Sequence, residues 1–448
     1  MDRKVYISDG VVTLVEYVPS LDDENNYQCW LDEETAAGYN GRMTLTFEEF
    51  AARPTRNRFK ATVVCEATGE PVGTVFMSPE GCLPDLAIMM FAPYRGRGMG
   101  TRAFELALEY CFDAFDLDRM YAGCYPHNDK SKRMLEKCGF VPNPDGNVEE
   151  EHYITGEKII QQDNVKYNIK KLELTHGEWS CRVAPGLGMN VLSLKHGDHL
   201  IMRRFESDND VMADPVLYGT PVLLPANRTK GAEFEFEGKK YHLELNEPQR
   251  GNHLHGKLYT CKFEVDEVGE DYVISHVTNK GELYPFPFTL RFYDKLSDNG
   301  FERKAVLTND GDGRMPFTLA FHTTFEEPED FAVDIGEHFE WDENYIPTGV
   351  MLPLDEYESS FGAGACSKGK EISGYYTSTG NVARVGGYRF TVSENFDEWV
   401  FYNGNSNEGY LCIEPQCGMT NGLNTVGGCH VLEKGQSEEF TISISKIL

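Results

Sequence analysis

Residues 86–110 read LAIMMFAPYRGRGMGTRAFELALEY, an apolar strand followed by a glycine-rich turn and a helix. Apolar side chains recur at helical spacing over residues 101–116, which predicts one buried helix face. These side chains are Phe104, Leu108, Cys111 and Phe115. Glycine lets backbone N–H groups approach an anion closely, and a helix N-terminus favours negative charge. The stretch therefore predicts an anion site at the turn, unless its glycines serve only the geometry of the chain.

The charge around this turn differs from that of the whole chain. The 448 residues include 42 Lys and Arg against 72 Asp and Glu, so the formal net charge is −30. Residues 91–140 instead hold eight basic and seven acidic side chains, a balance that suits an anionic ligand. The overall charge disfavours nucleic acid and anionic membrane surfaces as partners. The GxGxG spacing also differs from the P-loop and from the dinucleotide-binding fingerprint.

The chain has two halves with different sequence patterns. Its length predicts two or three domains. Before about residue 165, strands near 61–65, 72–77 and 86–91 are expected beside helices near 101–116 and 130–138. After about residue 170, short alternating strands dominate, such as those expected over 261–265 and 317–322. Asn-Gly and Asp-Gly pairs, such as Asn299-Gly300, indicate hairpins.

This change of pattern predicts two domains of different fold class. We expect an α/β (α+β) domain over residues 1–168 and an all-β antiparallel sandwich over residues 169–448.

Several features bear on cellular location. No window approaches 18 consecutive apolar residues, and the N-terminus lacks an apolar stretch followed by a small-residue cleavage site. We therefore expect neither a membrane span nor a signal peptide. The twelve cysteines show no CxxC pair and no zinc-like spacing from a histidine, which favours reduced thiols. A cytoplasmic protein is the expectation.

Two motifs around the glycine-rich turn resemble the GNAT superfamily of acetyltransferases. Arg95-x-x-Gly98-x-Gly100 is similar to the family's (Gln/Arg)-x-x-Gly-x-(Gly/Ala) signature. The run from Asn128 to Phe140 is similar to its Asn-x-x-Ser/Ala…Glu-Lys-x-Gly-Phe block. The resemblance implies acetyl-CoA as co-substrate, an amine as acceptor, and a pyrophosphate held by backbone amides. The acetyl-CoA contacts that it implies are Arg95, Gly96, Arg97, Gly98, Met99, Gly100, Asn128 and Ser131.

The acid and base of acetyl transfer stay unassigned in the sequence. Leu135 stands where many family members carry a tyrosine that protonates the departing thiolate, so an inactive acetyltransferase half is one alternative. Glu66 and Glu70 are candidate bases, although both also read as solvated side chains. The acidic stretch 22–34 lies in the family's acceptor-recognition region, where it either attracts a cationic amine or forms a solvated face.

Polar side chains interrupt the apolar strands of the second half at four places. Arg228 follows an apolar run, and His253 and His255 are two residues apart. His322 and Glu414 each alternate with the apolar residues of a strand, so each is expected on the opposite face from them. A histidine and a glutamate on polar strand faces can meet as acid and base. Singly, each residue is also explained by packing or a surface ion pair. A zinc site at the two neighbouring histidines lacks a third ligand.

Together and in this order, these residues resemble the aldose 1-epimerase (galactose mutarotase) family over about residues 170–448. The matching runs are Asn227-Arg228 to Phe234, Asn252-His-Leu-His255-Gly256, His322-Thr-Thr-Phe325, Pro347-Thr-Gly349 and Glu414-Pro415. Phe321 replaces the family's Asn before the histidine, and Glu398 stands where the family often has His.

The resemblance implies an acid–base reaction on an aldose. His322 would donate a proton to the ring oxygen while Glu414 removes one from the C1 hydroxyl. Asn227, Arg228, His255 and Asp397 would hold the sugar, and no metal or further cofactor is implied.

Two functions follow as alternatives. In the first, the protein is bifunctional: it transfers acetyl groups to an amine and interconverts aldose anomers. In the second, the β-sandwich binds carbohydrate without turnover and serves the acetyltransferase. Retention of both His322 and Glu414 favours the first, since binding alone needs no acid–base pair.

Overall fold

The computed structural model describes residues 3–447, which form two compact units. One unit extends to Ile169 and includes Ser207–Asn209, and the other contains Lys170–Glu206 and the chain from Asp210 onward. Within residues 3–447, no helix combines the length and apolar character needed to cross a membrane. The twelve cysteines lie in this range and are free thiols.

The first unit combines antiparallel strands with helices. Its strands are β1 (Val5–Ser8), β2 (Val12–Glu16), β3 (Asn57–Cys65), β4 (Pro71–Pro79), β5 (Leu86–Met90), β6 (Arg119–Cys124), β7 (Val141–Pro142), β8 (Val148–Glu151) and β9 (Lys158–Tyr167). Its helices are α1 (Pro19–Leu31), α2 (Glu33–Gly38), α3 (Phe47–Ala51), α4 (Met99–Ala114) and α5 (Asp129–Lys137). The predicted strands and helices of this half are confirmed, with slightly different ends.

A gap between two sheets of this unit creates a cavity. Strands β1 to β5 pair in chain order, whereas β6, β7 and β8 all pair with β9. Strands β5 and β6 meet at one parallel bridge between Asp85 and Tyr121, where the Tyr121 N–H donates to Pro84 at 2.8 Å. Among the described residues, no ladder continues beyond this bridge, so one edge of β5 has no strand partner.

Helix α4 begins directly after the glycine-rich turn. Gly98, at its N-terminus, has a φ of +79°, which glycine adopts without steric cost. The predicted apolar face is confirmed, because Phe104, Leu108 and Cys111 are buried in the core of the unit. Phe115 lies just past the end of the helix and packs against the same core.

The second unit consists mostly of β-strands. They are β10 (Leu172–His176), β11 (Trp179–Ala184), β12 (Asn190–His196), β13 (His199–Leu200), β14 (Val222–Leu223), β15 (Arg228–Lys230), β16 (Glu233–Phe236), β17 (Lys239–His242), β18 (Asn252–Leu254), β19 (Glu264–Val268), β20 (Tyr272–Asn279), β21 (Phe288–Ser297), β22 (Gly300–Asn309), β23 (Met315–Phe317), β24 (Leu319–Phe321), β25 (Thr324–Glu326), β26 (Phe331–Trp341), β27 (Pro347–Leu352), β28 (Ser373–Val385), β29 (Tyr388–Val392), β30 (Glu398–Tyr402), β31 (Tyr410–Cys417), β32 (His430–Leu432) and β33 (Ser437–Lys446). Helix α6 (Asp208–Ala213) lies between β13 and β14.

One large sheet dominates this unit. Its path runs β14-β24-β31-β30-β28-β29-β33-β22-β21-β20-β19, and β25, β26 and β27 attach beside it. The predicted hairpin at Asn299-Gly300 joins β21 to β22. Apolar side chains from this sheet and from the β10–β13 sheet share one buried core. The all-β sandwich class predicted for this half is therefore confirmed.

Two strand predictions in this half are partly wrong. The strand expected over 317–322 is split at Thr318, whose hydroxyl and carbonyl both accept the Ala226 N–H, and its two parts pair with different strands. The odd-numbered and the even-numbered residues of this segment are all buried, so the segment lacks the exposed polar face that its alternating sequence implied. The strand expected over 261–265 starts only at Glu264, because Leu258–Thr260 forms a 3₁₀ turn just before.

Candidate functional site

The register of the large sheet brings His322 and Glu414 together. Strand β31 pairs with β24 at Ala320–Gln416 and with β25 at Thr324–Cys412, so His322 lies opposite Glu414 in the break between β24 and β25. Residues directly opposite on antiparallel strands have adjacent side chains. His322 Nε2 and Glu414 Oε1 are 3.1 Å apart, and the two side chains are 5% and 3% exposed.

Burial controls the protonation of this pair. It raises the pKa of Glu414 well above its usual range, against the opposing effect of Arg228. It lowers the pKa of His322 to about 4. Both shifts disfavour the charged form, as expected for groups removed from water. Because the two groups are in contact they titrate as a unit, and near neutral pH the pair shares one exchangeable proton.

Arg228 is fixed beside the pair by a buried carboxylate. Its Nε and Nη2 donate to the two oxygens of Glu247 at 3.0 and 2.9 Å, and Nη1 donates to the Tyr375 hydroxyl at 2.9 Å. Asn252 Nδ2 donates to the same carboxylate at 3.0 Å. Tyr345 covers the guanidinium, with its ring centroid 4.9 Å from Cζ. Such bidentate pairing fixes an arginine in position and orientation.

Glu247, Tyr345 and Tyr375 belong to this site, although sequence reasoning missed all three. Tyr375 is placed by sheet register, since it pairs with Val400 on β30, and Val400 pairs with Glu414. None of the three lies in a local sequence motif that would mark it as a site residue. The only signal for Glu247 in the sequence is the need of a buried arginine for an acidic partner.

His255 and Asn227 border the pair and carry polar atoms without partners. The His255 ring packs edge-on against His322 with centroids 5.4 Å apart, and its backbone N–H donates to Asn227 at 2.9 Å. Among the described residues, Nδ1 of His322, Nδ1 of His255 and Oδ1 of Asn227 are buried and accept or donate no hydrogen bond. A buried unpaired polar group costs about 1–3 kcal/mol. Hydroxyl groups of a ligand can serve as hydrogen-bond partners for such atoms.

The structure does not bring Asp397 to this cluster. Its carboxylate accepts the Gly418 N–H at 2.9 Å and lies 3.0 Å from His430 Nε2, and half of the side chain is exposed. Asp397 precedes β30, whose register with β31 places Glu398 opposite Gln416. Glu398 is the buried carboxyl at this end, and burial raises its pKa well above the usual range.

Two groups of side chains among residues 3–447 lie close enough to hold a metal ion. One is His322, Cys412 and Glu414, and the other is Asp397, Cys417 and His430. In both groups burial raises the pKa of the thiol, which opposes the thiolate that a metal needs. His253, which lies two residues from His255 in the sequence, places Nδ1 2.6 Å from the Glu244 carbonyl.

A second site lies in the first unit, where the gap beside β5 opens a cavity of about 700 Å³. The cavity is lined by most of the residues expected to contact acetyl-CoA: Arg95, Gly96, Gly98, Gly100, Asn128 and Ser131. Arg97 and Met99 do not line it, since Arg97 is exposed beside Tyr94 and Met99 is buried in the core.

The glycine-rich turn leaves its backbone open. Gly96 and Gly98 have φ angles of +73° and +79°, and a Cβ at either position would meet no atom within 4 Å. Backbone N–H groups are thus accessible at the start of α4, where an anion is favoured. At the start of α5, Asn128 Oδ1 accepts the Ser131 N–H at 3.1 Å. These features fit the phosphates of acetyl-CoA.

Arg95 supports the turn through internal contacts. Its guanidinium lies 2.7 Å from Asp32, 3.2 Å from Glu34 and 2.7 Å from the Thr35 hydroxyl, and its Nε donates to the Met90 carbonyl. Two carboxylates of the acidic stretch 22–34 are therefore used in holding Arg95. Asp22 and Asp23 are likewise paired, with Arg3 and with the Tyr17 hydroxyl.

Leu135 lines this cavity and is buried, so its position offers no hydroxyl. Three tyrosines line the cavity, namely Tyr39, Tyr94 and Tyr125. Tyr39 donates to the Ile88 carbonyl at 2.9 Å, and Tyr125 donates to Glu150 at 2.7 Å. Burial raises the pKa of both phenols, so both stay protonated at neutral pH. No local pattern in the sequence marks Tyr39 or Tyr125 as a residue of this cavity.

Comparisons with known proteins agree with this division. A model of the aldose 1-epimerase family matches residues 170–445, and a model of the GNAT acetyltransferase domain matches residues 10–141. The spermidine N(1)-acetyltransferase of Escherichia coli K12 is 25% identical over 146 residues, which are 32% of this chain and 75% of that protein.

Solved structures resemble the second unit. A galactose mutarotase-like protein from Clostridium acetobutylicum aligns with a TM-score of 0.56 at 20% identity, covering 67% of this chain and 98% of that chain. Galactose 1-epimerase from Lactobacillus acidophilus aligns with a TM-score of 0.51 at 14% identity, covering 69% and 100%. These similarities show the mutarotase fold. The chain therefore belongs to the aldose 1-epimerase family and carries a GNAT acetyltransferase domain ahead of its mutarotase-like sandwich.

Proposed function

We propose that the protein is a bifunctional enzyme that interconverts aldose anomers and transfers acetyl groups to an amine. The domains are taken as residues 1–168 and 169–448. The observation that carries the first activity is the buried contact between His322 and Glu414, bordered by polar atoms without protein partners.

The proposed epimerase chemistry needs only this pair. His322 donates a proton to the ring oxygen while Glu414 accepts the proton of the C1 hydroxyl, so the C1–O5 bond breaks and the sugar opens. Rotation about C1–C2 and reversal of both proton transfers give the other anomer and restore the pair. Arg228, His255 and Asn227 bind sugar hydroxyls. Asp397 is not included, because its carboxylate is used by His430 and Gly418.

The proposed acetyl transfer takes place in the cavity beside β5. Acetyl-CoA supplies an activated acetyl thioester. The backbone of residues 96–100 and the N-terminus of α5 bind its phosphates, and the unpartnered edge of β5 borders the rest of the cavity. The spermidine acetyltransferase relative makes a cationic polyamine the first acceptor to test.

Two assays on the 448-residue protein test this function. Polarimetry with freshly dissolved α-D-glucose and α-D-galactose measures anomer exchange above the buffer rate. Thiol release from acetyl-CoA, with spermidine and a panel of other amines, measures acetyl transfer. Sugar binding without accelerated exchange would support the sugar-binding alternative instead, and absence of thiol release with every amine would contradict the second activity.

The shared proton of His322 and Glu414 predicts a bell-shaped pH profile for kcat/KM of anomer exchange. As pH falls through the lowered pKa of His322, about 4, a second proton enters the pair and the base is lost. As pH rises through the raised pKa of Glu414, the shared proton leaves and the acid is lost. Activity is therefore expected to persist at pH 5, well below the usual histidine pKa. Blank-corrected rates from pH 3.5 to 10 check this, and an acid limb near pH 6.5 would contradict it.

A further inference from the structure

Asp85 lies in the first unit at the closed end of the gap between β5 and β6. It precedes β5 and forms the bridge to Tyr121 at the point where β5 and β6 separate. Its side chain lines the same cavity as the glycine-rich turn. The turn lies beyond the other end of β5, and five strand residues span roughly 17 Å. A ligand whose phosphates lie at the turn therefore extends along β5 toward Asp85.

The surroundings of this carboxyl set its protonation. Among the described residues no lysine or arginine forms an ion pair with Asp85, and its carboxyl accepts a hydrogen bond from the Gly123 backbone. Burial and the nearby negative charge of Asp163 raise the pKa of Asp85 to about 7. Such a group exchanges a proton readily at neutral pH, which is the property required of a general base. Asp163 is itself held by Asn143 Nδ2 at 2.6 Å.

The other acidic candidates for this role either lie outside the cavity or differ from Asp85 in pairing or burial. Glu66 accepts hydrogen bonds from Ser8 and Thr13, and Glu70 accepts one from the Tyr94 hydroxyl at 3.0 Å. Neither lines the cavity. Glu34 and Asp129 do, but Glu34 is paired with Arg95 and Lys130, and Asp129 is exposed in the first turn of α5. Asp85 therefore differs from the other carboxyls of the cavity. It is partly buried with a raised pKa, and among residues 3–447 it has no cationic partner.

We propose that Asp85 removes the proton from a cationic amine acceptor in the acetyl transfer. This inference rests on the acetyltransferase function proposed above. The ammonium RNH₃⁺ gives one proton to the Asp85 carboxylate, and the resulting amine attacks the thioester carbon. The C–N bond forms as the C–S bond breaks, and a second proton from nitrogen neutralises the thiolate. Asp85 then returns its proton to solvent. The negative charges of Asp85 and Asp163 also select a cationic rather than a neutral acceptor.

The test compares Asp85→Asn and Asp85→Glu with Glu80→Gln. Glu80 is exposed in the turn between β4 and β5, so its variant removes a nearby charge outside the cavity. Thiol release is measured from pH 6 to 10 with acetyl-CoA and spermidine, and with the amine panel. Thermal shift with acetyl-CoA alone reports on the cavity independently of the acceptor.

Asp85→Asn is expected to lose about 100-fold in kcat/KM for the amine at pH 7, within the range for a missing general base. The deficit should shrink as pH approaches the amine pKa of about 10, because free amine then forms without help. Asp85→Glu should recover part of the rate. Glu80→Gln should match the wild type, and all variants should keep the thermal shift.

Three outcomes overturn the inference in distinguishable ways. Wild-type rates in Asp85→Asn, or a deficit that is constant with pH, refute the role of Asp85 and leave the proposed function intact. Acetyl-CoA binding without transfer to any amine refutes the acceptor chemistry but not the cavity assignment. If the wild type neither binds acetyl-CoA nor transfers the acetyl group, the proposed acetyltransferase function is refuted, and the role of Asp85 with it.

Discussion

Replacing Glu414 by Gln is expected to reduce kcat of anomer exchange by about 1,000-fold, near the middle of the range for a lost general base. The amide keeps the size of the side chain but cannot accept the C1 hydroxyl proton. His322→Gln should cause a comparable loss, because the pair shares one proton. The double variant should be little worse than either single variant, as for groups that act as a unit. Polarimetry with galactose and glucose measures each rate above the buffer blank.

Glu439→Gln is the matched control for this series. Glu439 lies on β33 of the same sandwich, is largely exposed, and forms a 3.4 Å surface ion pair with Lys304. Its loss should leave exchange unchanged, since surface pairs contribute little. The assignment fails if Glu414→Gln is folded by circular dichroism and retains more than a tenth of the wild-type rate.

Gly98→Trp is expected to abolish the thermal shift and thiol release produced by acetyl-CoA while leaving anomer exchange intact. The backbone at this position has a φ of +79°, which a tryptophan adopts only with strain, and the ring would project beside the N-terminus of α4. The indole would then occupy the space that the phosphates need. Binding should weaken at least 100-fold by titration.

Gly69→Trp separates backbone strain from loss of the binding site. Gly69 lies in the turn between β3 and β4 with a φ of +71°, and a Cβ there also meets no atom within 4 Å. It does not line the cavity. Equal loss of acetyl-CoA binding in both variants would mean that strain, not occupation of the cavity, explains the result. Retained binding in Gly98→Trp would remove the turn from the proposed site.

Local sequence signals predicted the parts of this molecule that local interactions determine. The helix after the turn follows from the spacing of Phe104, Leu108 and Cys111, and the need for glycine at residue 98 follows from its positive φ. His322 and Glu414 were expected from a family resemblance. Their direct contact depends on a register between strands about 90 residues apart, which no local pattern specifies.

The residues that sequence reasoning missed or misplaced all depend on tertiary contacts. Glu247 is found only through its pairing with Arg228, and Tyr375 only through sheet register. Asp397 was expected near the sugar, but His430 and the Gly418 amide hold it elsewhere. Asp85 looks like an ordinary loop aspartate in the sequence. Its cavity position arises because β5 and β6 part immediately after it.

NMR exchange spectroscopy on galactose anomers with the 448-residue protein at pH 7 measures whether the His322–Glu414 pair catalyses anomer exchange. The method measures exchange at equilibrium, and saturation transfer from protein to sugar reports binding in the same sample. The proposed role of the His322–Glu414 pair predicts exchange well above the buffer rate in the wild type and near the buffer rate in Glu414→Gln, with sugar binding retained. Binding to the wild type with exchange no faster than in buffer would contradict it.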